Sequence, residues 1–225
     1  MGDTGERSAS WAPFPRWTNS LSRLGLVAFV LIIVGPPTFL WFWVRGPIHT
    51  YQYARVDQPV AFDHRHHVRD DGIDCRYCHY DVARSSTATV PETELCMGCH
   101  GQIWTQSPML EPVRASYYRN RPIHWRRVNV LPDFVYFRHD IHVYKGVGCE
   151  VCHGRVDLMP SVYAAQPLQM GWCLDCHRNP AKYLRPPSMV TVMGYEPSEP
   201  QAVLGPRLVQ QLHVNPPTYC TACHR

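Results

Sequence analysis

The chain has 225 residues, among them ten cysteines, thirteen histidines and 21 prolines. Ten cysteines are more than a typical cytosolic enzyme carries, and the chain is much longer than the small secreted scaffolds that depend on disulfides. The formal net charge of +4 is too small to indicate a nucleic-acid partner, and none is expected.

The N-terminus combines a polar segment with a long apolar one. Residues 1–23 are rich in Ser and Pro, and we predict that they form a tail on the cytoplasmic side of a membrane. Residues 24–44, LGLVAFVLIIVGPPTFLWFWV, contain no charge. As a helix they would span about 31 Å, which matches a hydrocarbon core of roughly 30 Å, so we predict a transmembrane helix.

A cleaved signal peptide is the alternative interpretation of this segment. The apolar stretch is longer than a signal h-region, and no small-residue cleavage site follows Trp43. We therefore expect a signal anchor that crosses the bacterial cytoplasmic membrane once. Residues 45–61 would be a linker to a domain on the periplasmic, outer face.

Five C-x-x-C-H motifs follow, and together they contain every cysteine of the chain. The pattern is typical of c-type haem attachment, in which both thiols bond the porphyrin and the histidine binds iron from the proximal side. We predict five covalently bound haem c groups. The cysteines are Cys75 and Cys78, Cys96 and Cys99, Cys149 and Cys152, Cys173 and Cys176, and Cys220 and Cys223; the proximal histidines are His79, His100, His153, His177 and His224.

Structural zinc and disulfides are the competing explanations for these cysteines. Two C-x-x-C pairs complete a zinc site, but zinc gives no reason for a histidine after every second cysteine. Disulfides within C-x-x-C pairs are typical of redox enzymes, which usually carry one such motif rather than five. Neither accounts for the pattern as well as haem does.

A repeat ahead of the motifs predicts the distal ligands. The pattern F-x-H-x-x-H occurs at Phe62–His67, before the first motif, and at Phe137–His142, before the third. Two histidines three residues apart lie on one side of a helical turn and can reach two different irons. We predict that His64, His67, His139 and His142 are distal iron ligands.

The repeat also divides the chain. We predict two dihaem units, at residues 62–100 and 137–177, with an inter-repeat segment at 101–136. Residues 178–225 would carry the fifth haem. For its distal ligand we favour Met170, which would raise the potential of that haem, with His213 or His124 as substitutes.

Five haems in the part of the chain after the linker leave little room for an ordinary protein core. The fold class we expect is a multihaem cytochrome c. One N-terminal transmembrane helix would be joined to a loop-rich domain of mostly short helices wrapped around the haems, with little sheet.

The F-x-H-x-x-H pattern followed by C-x-x-C-H resembles the cytochrome c7 and c3 families over residues 62–100 and 137–177. The whole plan resembles the pentahaem cytochrome c subunit of bacterial alternative complex III. That resemblance also rests on the stretch leading from Leu131 to His139 and on the stretch from Met170 to His177.

The second resemblance implies an electron relay within a quinol:electron-acceptor oxidoreductase. It also implies three kinds of partner: an iron–sulfur subunit related to molybdopterin oxidoreductases, multispan quinol-binding membrane subunits, and a monohaem cytochrome c. Electrons would pass on to a soluble carrier or an oxidase. No residue is predicted to be catalytic, and the chain is not expected to be an enzyme on its own.

Two other functions are weighed against this one. A stand-alone membrane quinol dehydrogenase feeding a periplasmic reductase also has one anchor helix, but its first haem has an unusual methionine ligand nearby, and no methionine follows His79 closely. A multihaem reductase needs an open iron, whereas this sequence has enough histidine and methionine to fill all five distal positions.

Overall fold

A computed structural model describes residues 14–224, so most of the predicted N-terminal tail lies outside the described residues. The described part forms two compact units, one ending at His49 and the other beginning at Thr50. The α-helices are α1 (Arg16–Arg45), α2 (Pro47–Thr50), α3 (Cys75–Cys78), α4 (Thr93–His100), α5 (Glu111–Arg119), α6 (His139–Tyr144), α7 (Cys149–His153), α8 (Met170–Arg178) and α9 (Gln201–Gln211).

Most of the remaining regular structure consists of a π-helix and several 3₁₀ turns. A π-helix covers Arg65–Asp70, and 3₁₀ turns cover Pro108–Leu110, Val156–Leu158, Pro180–Lys182, Pro187–Met189 and Cys220–Ala222. Between residues 14 and 224 there is no sheet, and strand-like pairing is limited to the isolated bridges Arg55–Tyr163, Val135–His224 and Val147–Leu184. The expectation of short helices and little sheet is confirmed.

Helix α1 contains the whole predicted span and begins earlier, at Arg16 rather than Leu24. The polar residues ahead of the span do not interrupt it, because their hydroxyls bond to preceding carbonyls: Thr18 Oγ1 to Pro15 O at 2.6 Å and Ser22 Oγ to Thr18 O at 2.8 Å. Within the described residues, Trp17–Arg45 is the one stretch long and apolar enough to cross a membrane, and its apolar window is entirely exposed.

The second unit has only a small apolar core of its own. Leu184, Leu204 and Leu208 are at most 5% exposed and bring α9 against the turn at Pro180–Lys182. Gly205 allows this close approach, because a side chain there would overlap the carbonyl of Ala181. So little buried apolar surface fits a chain whose interior is to be completed by a large cofactor.

A buried ion pair fixes the helix that carries the third motif. Arg185, only 5% exposed, donates to Glu150 Oε1 at 2.6 Å, and its guanidinium lies over the ring of Tyr195. The carboxylate of Glu150 also accepts the backbone N–H of Gly194 at 2.6 Å. Glu150 belongs to α7, so this network holds α7 against residues 185–195.

Replacing Arg185 by Met should lower the stability of this unit strongly. Removing Arg185 leaves the carboxylate of Glu150, which is 15% exposed, without its cation, and the loss should approach the roughly 3 to 5 kcal/mol of a fully buried pair. Chemical denaturation of the full chain in detergent, followed by circular dichroism, measures the loss. The control Arg207→Met disrupts an exposed pair with Glu199 and should cost less than about 1 kcal/mol; equal losses in both variants would contradict the role given to Arg185.

Candidate haem-binding sites

The five C-x-x-C-H motifs all lie on short helical turns. The cysteines of the first motif bound α3, the second and fourth motifs lie at the ends of α4 and α8, the third forms the whole of α7, and the fifth lies at the 3₁₀ turn Cys220–Ala222. One helical turn places the two cysteines of a motif on the same side of the backbone. No disulfide joins any two of the ten cysteines, all of which lie within the described residues.

Three of these motifs face a second imidazole across a constant gap. The ring centres are 6.1 Å apart for His67 and His100, 6.3 Å for His139 and His153, and 6.1 Å for His142 and His177. A histidine nitrogen binds a metal at about 2 Å and lies about 1 Å from its ring centre, so two imidazoles on opposite sides of one metal have centres roughly 6 Å apart. The observed gaps therefore fit one iron between each pair of rings.

The fourth predicted distal histidine, His64, has His79 as its main electrostatic neighbour. Burial, followed by the neighbouring His79 and His67, lowers the pKa of His64 to about 4. Burial, followed by His139 and His79, likewise lowers the pKa of His153 to about 4. Both imidazoles are therefore neutral near pH 7, as a metal ligand must be.

Hydrogen bonds to the backbone select the ring nitrogen that remains free. In His67, His79, His139, His142 and His177 the Nδ1 atom lies 2.7–3.1 Å from a carbonyl oxygen. A carbonyl can only accept, so Nδ1 carries the proton and Nε2 keeps its lone pair. A metal-bound histidine is usually held in this way, and the bond makes it a better donor to the metal.

For His153, the side chain of Asn129 rather than a backbone carbonyl lies beside Nδ1. Its side-chain amide lies 3.1 Å from Nδ1 of His153, and its Oδ1 is buried without a partner. Turning the amide over gives Oδ1 the proton of Nδ1 and satisfies both groups. In contrast, the Nδ1 atoms of His64 and His100 are buried without a hydrogen-bond partner.

The phenylalanine of each repeat supports both histidines that follow it. Phe62 stacks on His67 with ring centres 4.4 Å apart and meets His64 edge-on at 4.7 Å. Phe137 stacks on His142 at 4.6 Å and meets His139 edge-on at 5.9 Å. The two halves use the same arrangement although the first turn is a π-helix and the second an α-helix.

The fifth motif differs from the others. The ring packed against His224 is Phe134, with centres 5.7 Å apart, and Nδ1 of His224 lies 3.3 Å from the carbonyl of Phe134. Met170 begins α8 and is 65% exposed, and His124 and His213 are also exposed. Methionine or histidine ligation of the fifth haem therefore stays a prediction.

Sequence reasoning missed several groups that position the imidazoles. Asn129 carries no motif, and the carbonyls of Thr89, Val82 and Pro217 could not be assigned because any residue supplies a carbonyl. The repeated phenylalanines were visible as a pattern, but nothing in the sequence gave their role. His66 stacks on Trp104 and lies near Asp71, so it belongs to a different contact from its neighbour His67.

Comparison with known proteins agrees with this geometry. Residues 135–225 match the family model described as cytochrome c7 and related cytochrome c. The chain has a cytochrome c7-like multihaem domain. That family binds haem c covalently, and the ten cysteines of this chain fit several such attachment motifs.

A curated relative extends the likeness beyond this domain. It is the "Menaquinone reductase, multiheme cytochrome c subunit" of Nitratidesulfovibrio vulgaris (strain Hildenborough), which is 29% identical over 148 aligned positions. The match covers 56% of this chain and 70% of the relative. The chain is thus similar to a subunit of a menaquinone reductase.

Replacing His142 by Ala should open one iron without releasing its haem. The thioethers of Cys173 and Cys176 remain, but the imidazole facing His177 is lost. We expect a high-spin signal from one haem in the absorption and electron paramagnetic resonance spectra, and carbon monoxide binding after reduction. His66→Ala is the matched control and should stay entirely low-spin; an entirely low-spin H142A would contradict the ligand assignment.

Replacing Asn129 by Val should raise the potential of one haem. Without an acceptor for Nδ1–H, His153 becomes a weaker donor to oxidised iron, and one hydrogen bond of about 1 kcal/mol corresponds to roughly 40 mV for one electron. Redox titration followed by absorption measures the shift. Asn215→Val, at an exposed asparagine, is the control, and an unchanged titration curve in N129V would refute the role of Asn129.

Proposed function

We propose that this protein is a membrane-anchored pentahaem cytochrome c that relays electrons within a quinol:electron-acceptor oxidoreductase of the alternative complex III type. The observation that carries the proposal is the set of imidazole pairs, each one iron's width apart, beside C-x-x-C-H turns. A low-spin haem iron with two such ligands gains and loses single electrons with little change in its surroundings.

The ligand sets follow from the same contacts. We assign His67 with His100, His139 with His153, and His142 with His177 from their facing rings, and we pair His64 with His79 by analogy with the second repeat. The thioethers formed by all ten cysteines would hold five haems in place, and Met170 or a histidine would complete the fifth. With both sides of each iron filled, the chain would carry electrons and would not bind a substrate at iron.

The apolar helix supports the location that we propose. Trp17–Arg45 would anchor the chain in the cytoplasmic membrane, and the motifs that follow it would lie on the outer face, where haem c is attached. The relative's name links a similar subunit to menaquinone, which supports a quinone-linked partner. We further propose an iron–sulfur subunit, multispan quinol-binding subunits and a monohaem cytochrome c as the neighbours.

The same relative favours a second candidate in which electrons flow towards quinone. A relay of low-spin haems works in either direction, so the direction is set by the partners and by the haem potentials. In that case the chain would deliver electrons to a membrane subunit that reduces menaquinone. The two candidates share the proposed haem sites and differ only in the source and the acceptor of electrons.

Purification of the tagged chain from native membranes tests the proposal. We expect multispan and iron–sulfur subunits to co-purify, and quinol to reduce the haems rapidly in the assembly but not in the isolated chain. Haem oxidation by added menaquinone would favour the second candidate. Rapid reduction of the isolated chain by quinol would instead show a stand-alone quinol dehydrogenase and refute the relay role.

A further inference from the structure

Each histidine turn joins two haem motifs. In the first half, His67 faces His100 of the second motif, and the repeat assigns His64, three residues earlier, to the first motif. In the second half, His139 faces His153 of the third motif, and His142 faces His177 of the fourth. Because the two histidines of a turn are three residues apart, the first motif must lie beside the second and the third beside the fourth.

The two halves meet through their first motifs. Cys75 Sγ contacts the carbonyl of Thr191 at 3.7 Å, and the backbone N–H of Cys149 donates to the carbonyl of Val190 at 2.8 Å. The first and third motifs are therefore neighbours, although the second lies between them in sequence.

A second set of contacts joins the same two motifs. The Nδ1 atom of His139 lies 3.1 Å from the carbonyl of Val82, and its backbone N–H donates to Ser86 O at 3.1 Å. Val82 and Ser86 belong to the loop that directly follows the first motif. The distal ligand proposed for the third motif is thus held by the chain that leaves the first.

The fifth motif packs beside the fourth. The N–H of Tyr136 donates to the carbonyl of Cys223 at 2.9 Å, just ahead of the turn that carries His142. The Nδ1 atom of His177 is bonded to the carbonyl of Pro217 at 2.7 Å, close before the fifth motif. Both sides of the fourth site are therefore in contact with the segment that bears the fifth.

The solvent exposure of the cysteines distinguishes the second and fifth motifs from the other three. Among the ten cysteines, all within the described residues, only Cys99 and Cys220 are exposed. Cys99 belongs to the second motif and Cys220 to the fifth. The cysteines of the first, third and fourth motifs are all partly covered by protein.

We infer that the five motifs lie in the spatial order second, first, third, fourth, fifth, and that electrons enter and leave at the second and fifth. The inference rests on the proposed relay function and specifies where its partners must dock. Transfer between the halves runs through the first and third motifs. The chain order is thus not the order of the relay, because the second motif lies at one end.

The order can be tested on the full, haem-loaded chain by binding nitric oxide to two chosen haems and measuring the magnetic coupling between their unpaired electrons. A distal His→Ala variant opens one iron, and stoichiometric nitric oxide added to the reduced protein makes only the opened sites paramagnetic. The variant H64A/H139A marks the first and third motifs, and H67A/H139A marks the second and third. Magnetic coupling falls with the cube of the distance, so the spectra rank the separations.

We expect coupling several-fold stronger in H64A/H139A than in H67A/H139A. A third pair, H142A/H224G, should couple as strongly as the first, because it marks the fourth and fifth motifs. Stronger coupling in H67A/H139A would place the second motif, rather than the first, beside the third, as in the sequence, and would overturn the inference. The single variants, each carrying an isolated spin, give the uncoupled reference spectra.

Two measures keep the test decisive. The haem content of every variant is counted from its alkaline pyridine spectrum, and it should equal that of the wild type because no thioether is altered. If H64A/H139A fails to assemble, H79G/H153G opens the same two motifs from their proximal sides. Failure of the proposed function would appear as missing partner subunits with the couplings unchanged, so the two outcomes are distinguishable.

Discussion

The structure depends on pairs of imidazoles that face each other across the width of one iron, and in two of the three measured pairs both rings have Nδ1 beside a hydrogen-bonding group. The gap between ring centres is the same within 0.2 Å in three pairs drawn from different parts of the chain. Backbone carbonyls and Asn129 bind the outward Nδ1 atoms, so the inward Nε2 atoms are already in the form that binds metal. The polypeptide therefore presents imidazole nitrogens in facing pairs, as the proposed haem ligation requires.

The need to place cysteines and histidines around haems explains why the fold has short helices, no sheet among the described residues and a small apolar core. Short turns suffice to hold a cysteine pair and a histidine, and a sheet would place these residues on alternating faces. The apolar cluster around Leu184 and Leu208 is small. The ion pair between Arg185 and Glu150 therefore helps to hold the third motif in place. Axial ligation would compensate, because one iron would join the turn that bears its motif to a histidine elsewhere in the chain, as His177 faces His142.

The sequence contains the patterns that define the candidate haem sites, but not the residues that lie next to them in space. Local patterns contain the C-x-x-C-H motifs and the histidine turns, because each is complete within a few residues. The partners that orient the imidazoles lie far along the chain, as Asn129 does for His153 and Pro217 for His177, and no local pattern records them. The apolar pattern defined the span at residues 24–44 but not the start of α1 at Arg16, because the residues between them are polar.

The most direct test of this account is a count of axial ligand pairs in the oxidised, purified protein by near-infrared magnetic circular dichroism, normalised to total haem. The intensity and energy of its charge-transfer bands identify bis-histidine and histidine–methionine irons. The account predicts five low-spin haems per chain, of which at least four have two histidine ligands. Fewer than four bis-histidine centres, or a metal other than haem iron at the cysteine pairs, would contradict it.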